Sequence, residues 1–287
     1  MKQSKDRTPW LAALVLAIVS LTPTPSHSQE PPPAGTAPAR LISAFFGLDN
    51  ALPMAVNFAL CPGGGGMDGM PVVLSHTVDP ETLQAEDFRV FTRSGVERTP
   101  KCATLRPASD PGERRTVLLI GELGDAAHDP SVKVRVVDDL FSDDKRGGPV
   151  NFRGKDTTVI PLDDGPTLVL AEVVPKYEWS ESGRGSSCPD DAKQVVRATW
   201  AGGVRVPGGG DPGDAERKLY RVTVKRPDGS REEVAPAALA ELGDNDNNHF
   251  LCLSTADPAV SVAFPGGHLV DPNQDLNPDT QVAVTAP

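Results

Sequence analysis

One spacing occurs twice along this chain and constrains its architecture more than any other feature. Leu41 precedes Cys61 by 20 residues, and Leu168 precedes Cys188 by the same 20 residues, at an offset of 127. Two later segments keep the same order: residues 88–90 with 220–222, and residues 129–134 with 257–262. Self-similarity at a nearly fixed offset indicates an internal duplication. The sequence therefore predicts one domain that is present as two diverged copies.

The segments between turns are short and have the patterns of β-strands. Valines at 132, 134 and 136 alternate with Lys133 and Arg135, which is the period of a half-buried strand. Residues 117–120 form a continuous apolar run that is typical of a buried strand. Alternating runs lie at 195–200, 219–224 and 260–264, and residues 226–230 are a hairpin-turn signal. Only residues 235–242 suggest a helix. Domains of this kind are typical of all-β sandwiches, with a barrel as the alternative.

The amino-terminal region has the features of an export signal. A basic start is followed by a short apolar stretch, Trp10 to Leu21, and by small residues at Ser26 and Ser28. We expect a signal peptide at 1–28, a Pro-rich leader at 29–39, and domains at 40–160 and 166–287. An uncleaved amino-terminal anchor is the alternative.

Net charge limits the classes of partner. The chain carries −11, and loss of residues 1–28, which carry +2, would leave −13. Nucleic acids and anionic membrane surfaces attract basic proteins, so neither is an expected partner. We expect no stable membrane insertion after cleavage, and a protein or another cell-envelope component as the partner.

The four cysteines predict two disulfides in an exported chain. Four cysteines allow three pairings, and the duplication favours the pairing that keeps each bond within one copy. The predicted bonds are Cys61–Cys102 and Cys188–Cys252.

Residues 75–90 (Ser-His-Thr-Val-Asp-Pro-Glu-Thr-Leu-Gln-Ala-Glu-Asp-Phe-Arg-Val) carry a family resemblance. The segment resembles bacterial immunoglobulin-like (Ig-like) domains of the S-layer-protein type, in which a strand ends near Val-Asp-Pro and the next begins near Phe-x-Val. The second copy lacks this segment. The resemblance implies two tandem Ig-like β-sandwich domains and a role in spacing, adhesion or surface display.

Acidic turns are the serious candidates for a metal site. Residues 271–279 place oxygen ligands at alternate positions, which suits calcium, although the loop is not an EF-hand. A second cluster lies at 244–248. The candidate ligands are Asp244, Asp246, Asp271, Asn273, Asp275, Asn277 and Asp279. The alternative is that these residues simply form tight turns; apart from calcium, no cofactor is expected.

Other chemical motifs are weaker. The scattered histidines do not form a zinc site, and Gly63–Gly66 lacks the context of a phosphate loop, so we expect a flexible loop there. Four aromatic residues could stack on a sugar or belong to the core: Tyr177, Trp179, Trp200 and Tyr220.

Taken together, these patterns predict an exported, periplasmic or extracellular protein without catalytic residues, acting as a structural or binding module through loops at the sandwich ends. One alternative is a calcium-dependent binding protein that uses the acidic loops. The other is a secreted hydrolase with paired carboxylates.

Overall fold

The computed structural model describes residues 38–108, 110, 112–143, 148–179, 187–240 and 246–285. The predicted signal peptide and all but the last two residues of the leader lie outside these ranges. Within these ranges, sixteen strands fall into two sets of eight. The first set is β1 Leu41–Phe45, β2 Asp68–Leu74, β3 Phe88–Thr92, β4 Glu97–Arg98, β5 Cys102–Thr104, β6 Thr116–Gly121, β7 Ser131–Val136 and β8 Asp156–Ile160.

The second set begins after a short 3-10 turn at Leu162–Asp164. It consists of β9 Leu168–Val173, β10 Gln194–Trp200, β11 Arg221–Lys225, β12 Arg231–Val234, β13 Ala238–Ala240, β14 Asn248–Leu253, β15 Ala259–Phe264 and β16 Thr280–Thr285. The α-helices are single turns, α1 Val56–Ala59 and α2 Asp214–Arg217. Further 3-10 turns lie at Ala85–Asp87 and Lys176–Glu178.

Both sets have the same strand order, β4-β3-β7-β8-β1-β2-β6-β5 and β12-β11-β15-β16-β9-β10-β14-β13. One neighbouring pair in each set is parallel, β1 with β8 and β9 with β16, and the other pairs are antiparallel. This is the order of an Ig-like sandwich whose first and last strands join its two sheets. The chain therefore contains two tandem Ig-like β-sandwiches, as predicted.

Each sandwich has its own apolar core between its two sheets. In the first, Val72 and Leu119 from one sheet pack in the same cluster as Phe88, Val90 and Val134 from the other. In the second, the core cluster includes Val196 and Leu251 from one sheet, and Val222 and Val262 from the other. The strands predicted for these segments are confirmed. Val132, expected in the core beside Val134 and Val136, is instead 39% exposed, because the register between β3 and β7 shifts at this residue.

The predicted disulfides are confirmed, and each lies within one sandwich. Cys61 is bonded to Cys102 across 41 residues, and Cys188 to Cys252 across 64. Their second cysteines are not equivalent, however. Cys102 lies on β5 opposite Ile120 of β6, whereas Cys252 lies on β14 opposite Ala238 of β13. The two copies thus place the cysteine on opposite members of the same strand pair.

The predicted helix at 235–242 is wrong for its described part. Residues 238–240 form the edge strand β13, in which Leu239 lies opposite Leu251 of β14. Pairing with the sheet and burial of Leu239 against the core outweigh the helix propensity of the alanines.

Candidate functional site: interdomain junction, acidic loops and an exposed apolar tip

Glu172, on β9, is the centre of a charge cluster between the two sandwiches. Its Oε2 lies 2.9 Å from Nη2 of Arg115 in the first sandwich. Its Oε1 accepts hydrogen bonds from Nε of Arg197, at 3.0 Å, and from Nη2 of the same residue. Burial acts to raise the pKa of Glu172, but the two guanidinium groups hold it below its usual value. The carboxylate therefore stays charged inside the protein.

We call Arg115, Glu172 and Arg197 the interdomain junction. Arg197 carries a charge but is only 3% exposed, because it lies on β10, whose residues are all buried. A buried charge that loses its partner is strongly unfavourable. The junction therefore favours one arrangement of the two sandwiches over any other.

Close backbone packing accompanies the junction. Gly112 (φ +81°) lies so near the guanidinium of Arg197 that a side chain there would overlap it. A Cβ atom on Gly202 would lie 2.8 Å from Cδ1 of Phe45 and 3.4 Å from Cγ of Pro71. Phe45 is fully buried but does not belong to the core of its own sandwich. The second sandwich therefore covers part of the outer face of the first.

The acidic loop at 271–279 connects β15 to β16, and three of its predicted ligands lie together. Oδ1 of Asp271 accepts a hydrogen bond from the backbone of Asp275 (2.9 Å), and Nδ2 of Asn273 donates to Oδ2 of Asp275 (2.6 Å). Asp271 is 1% exposed, and burial raises its pKa to about 6. Its Oδ2 has no hydrogen-bond partner among the described residues.

The other two candidates in this loop hold its ends. Oδ1 of Asn277 accepts hydrogen bonds from the backbone N–H groups of His268 (3.0 Å) and Leu269 (2.8 Å). Oδ1 of Asp279 accepts one from the backbone of Gly266 (2.8 Å). These oxygens accept from backbone N–H groups 8 to 13 residues earlier in the chain and so hold the two sides of the β15–β16 connection together.

In the second acidic cluster, Asp246 is 5% exposed and bonds locally. Its Oδ1 accepts from the backbone N–H of Asn248 (2.8 Å), and its Oδ2 from Nδ2 of the same residue (3.0 Å). Asp244 lies outside the described residues. Within the described ranges, no group of three or more His, Cys, Asp or Glu side chains is arranged to hold a metal ion.

Two of the four aromatic candidates for sugar stacking belong to the core of the second sandwich. Trp200 and Tyr220 are fully buried, and Nε1 of Trp200 donates to the hydroxyl of Tyr220 at 3.0 Å. That hydroxyl lies 2.7 Å from Nδ1 of His249. An indole N–H only donates, so the hydroxyl oxygen of Tyr220 accepts the hydrogen bond from Trp200. Burial lowers the pKa of His249 to about 3.

The other two aromatic residues lie at Lys176–Glu178 and directly after it. Tyr177 is 56% exposed. Trp179 is partly buried against the cluster around the second disulfide, and its Nε1 donates to the backbone oxygen of Val174 at 2.9 Å. With Trp200 and Tyr220 in the core, the four rings do not form one sugar-binding face.

An exposed apolar segment, which we call the tip, comprises residues 50–67 between β1 and β2. It contains α1 and no charged residue. Phe58 is 94% exposed and Met54 65%, and the smaller residues exposed beside them are Ala51, Pro53, Ala55 and Ala59. No motif pointed to this surface. The signal available in the sequence is a run of 18 uncharged residues in a chain with 67 charged ones.

Buried side chains and a disulfide fix the tip to the rest of the first sandwich. Leu52 and Val56 are buried in a small cluster with Cys61 and Ile120, and Cys61 is bonded to β5. Within the glycine turn at 63–66, Gly64 and Gly65 are closely packed, whereas Gly63 and Gly66 are exposed. Cβ atoms on Gly64 and Gly65 would lie within 3.0 Å and 2.8 Å of neighbouring atoms, and Oδ1 of Asn57 accepts from the backbone of Gly65 at 2.7 Å. A rigid base thus holds apolar side chains in solvent.

Two open grooves, of about 590 and 410 Å³, lie on the β11–β15–β16 side of the second sandwich. The first is lined by Arg231 and by residues of β15 and β16, and the second contains Asp279 as its only carboxylate. Neither groove brings together the two carboxylates that a hydrolase of the predicted kind needs. Among the described residues, no helix is long and apolar enough to cross a bilayer.

No family model matches the sequence, and no curated protein matches it. Among solved structures, the chain resembles the N-terminal part of the bacterial S-layer protein SbsC, with 11% identity and a TM-score of 0.30 over 87% of this chain and 44% of that one. It also resembles domains 1–6 of surface layer protein SbsC, with 10% identity and a TM-score of 0.21 over 88% of this chain and 41% of that one. The chain spans less than half the length of either structure. A likeness this distant carries no functional argument.

Proposed function

We propose that this protein is an exported, non-catalytic structural or binding module of the cell envelope or extracellular space. Its two sandwiches form a fixed support that presents loops at their ends. The interdomain junction is the observation that carries this proposal. Because Glu172 is buried between Arg115 and Arg197, bending between the sandwiches would separate charges that are largely withdrawn from water.

Two further features support this function. Each sandwich contains a disulfide, a bond that persists in oxidising compartments such as the periplasm or the extracellular space. Several residues predicted as metal ligands or sugar-binding rings make hydrogen bonds within the protein instead. Asn277 accepts from a backbone N–H of its loop, and Tyr220 accepts from Trp200 in the core. The loops at the sandwich ends, the tip among them, therefore supply exposed surface for contact with a partner.

The test is a cross-linking pull-down with the oxidised mature protein and an extract of its own cell envelope, in calcium and in chelator. Capture of the same component in both conditions is the expected result. Reduced protein is the control, because loss of the disulfides should release the loops and abolish capture. The absence of any captured component from the oxidised protein would contradict a binding role.

Calcium-dependent binding is a second candidate function. Oδ2 of Asp271 is buried without a hydrogen-bond partner among the described residues, and a divalent cation is one way to satisfy such an oxygen. Asn273 and Asp275 lie next to it and could supply further oxygens. Capture only in calcium, abolished by Asp271→Asn, would favour this function over the first.

A further inference from the structure

We infer that the tip is a docking surface for a protein partner that offers an apolar pocket bordered by Lys or Arg side chains. This inference rests on the proposed function, because it names the surface and the chemistry of the partner. Phe58 at 94% exposure and Met54 at 65% are unusual, since large apolar side chains in contact with water are unfavourable unless another surface covers them.

The mode of attachment makes the tip suitable as an anchor. The cluster around Leu52 and Val56, the disulfide at Cys61 and the packed glycine turn fix α1 in place. A side chain that is held in its bound position before docking loses little conformational freedom on binding. A protruding aromatic group that fills a pocket is the usual centre of a small interface.

The charges beside the tip indicate the border of the pocket. Oδ2 of Asp49 accepts from the backbone of Ala126 at 2.9 Å, which brings the start of the tip next to the β6–β7 loop. That loop carries the half-exposed carboxylate of Asp125, which lies 3.0 Å from Nδ1 of His128 and keeps its outer side open to solvent. Lys101 lies against Gly63 at the other end of the segment. A partner with cationic side chains near Asp49 and Asp125 would gain attraction, both in the encounter and in the complex.

A second copy of the chain fits these observations less well. Two copies that meet through Phe58 and Met54 would set one protruding tip against another. The copies would also bring the same carboxylates together, in a chain of net charge −11. An anionic lipid surface is disfavoured for the same electrostatic reason.

The test places the photo-reactive residue p-benzoylphenylalanine at position 58 of the full chain, exported in the cells that make it. The matched control places it at position 96, since Val96 is exposed (41%) on the same sandwich but lies outside the tip. Phe58 makes so little contact that this replacement leaves the fold intact. Cross-linked products are identified by mass and by sequencing of the attached peptide.

The expected product is a protein adduct at position 58 that is absent at position 96 and attached to an apolar segment with Lys or Arg nearby. Its yield should fall at least several-fold with Asp125→Asn. An adduct to a second copy, a lipid adduct, or equal labelling at both positions would overturn the inference. A protein adduct at 96 alone would also overturn it, yet would leave the proposed binding function standing.

Discussion

Arg115 and Glu172 lie in different sandwiches and form an ion pair of 2.9 Å between Nη2 and Oε2, in a position where both side chains are largely withdrawn from water. Surface ion pairs contribute little to stability, since water competes for each charge. A buried pair behaves differently, because each partner depends on the other for solvation. The contact therefore links the stability of each sandwich to the presence of the other.

Glu172→Gln should destabilise the protein by about 3–5 kcal/mol, because Arg115 and Arg197 would remain buried without the carboxylate that neutralises them. Urea unfolding followed by the fluorescence of Trp179 and Trp200 measures the change in the second sandwich. Asp156→Asn is the control. It removes an exposed pair with Arg135 (2.7 Å) and should cost less than about 1 kcal/mol. Equal effects of the two variants would contradict the role assigned to the junction.

Gly202→Ala should weaken the contact between the sandwiches, because its new methyl group would lie 2.8 Å from Cδ1 of Phe45 in the first one. Overpacking of this kind costs about 1–3 kcal/mol. Gly210→Ala is a matched substitution between the same two strands, where the nearest atom is Cγ2 of Val206 at 3.4 Å. Thermal unfolding should show a clear loss for Gly202→Ala and almost none for Gly210→Ala. The reverse order would contradict the packing described here.

His249 should make the protein sensitive to mild acid. Its folded pKa of about 3 lies below the ordinary value of 6.5, so the unfolded chain takes up a proton first. The stability that neutral His249 provides is complete above pH 6.5 and is lost as the pH falls toward 3. Asp271, with its pKa raised to about 6, has the opposite effect. The stability that its protonated form provides is lost as the pH rises through 6.

Comparison of wild type with His249→Gln at each pH removes the effect of Asp271, which both proteins share. The difference in free energy of unfolding between them should shrink as the pH falls from 6.5. A difference that stays constant over this range would show that His249 is not held neutral by burial.

Calcium should leave the thermal midpoint of the wild-type protein unchanged relative to chelator. Oδ1 of Asp271 already accepts from the backbone of Asp275, and Asn277 and Asp279 accept from backbone N–H groups of the same loop. A ligand that binds only the folded state raises its stability. A calcium-dependent rise in the wild type that Asp271→Asn abolishes would therefore contradict this expectation and favour the calcium-binding candidate.

The duplication and the strand patterns were readable from the sequence because they depend on local periodicity and on spacing. Val134 and Val262 occupy equivalent places on β7 and β15, as the repeat predicted. The helix expected at 235–242 shows the limit of such patterns. Leu239 lies opposite Leu251 in the sheet, and a contact between residues 12 positions apart cannot be predicted from the helix propensity of the segment.

The junction and the tip were harder to predict, for different reasons. Glu172 and Arg197 come together only through the pairing of β9 with β10, and Arg115 joins them from another domain. The one local sign is an arginine that follows Val195 and Val196 and precedes Ala198 in β10. For the tip, the uncharged run was visible, but whether Phe58 faced the core or the solvent depended on how the disulfide and the glycine turn oriented α1.

The most direct measurement of the central claim is the distribution of distances between two spin labels, one in each sandwich. Labelled non-natural residues at the exposed positions Glu97 and Glu233 avoid the four cysteines. We predict one narrow distribution for the wild type and a broader one for Glu172→Gln, because the buried junction holds the sandwiches together. A broad distribution in the wild-type protein would contradict the fixed support on which the proposed function depends.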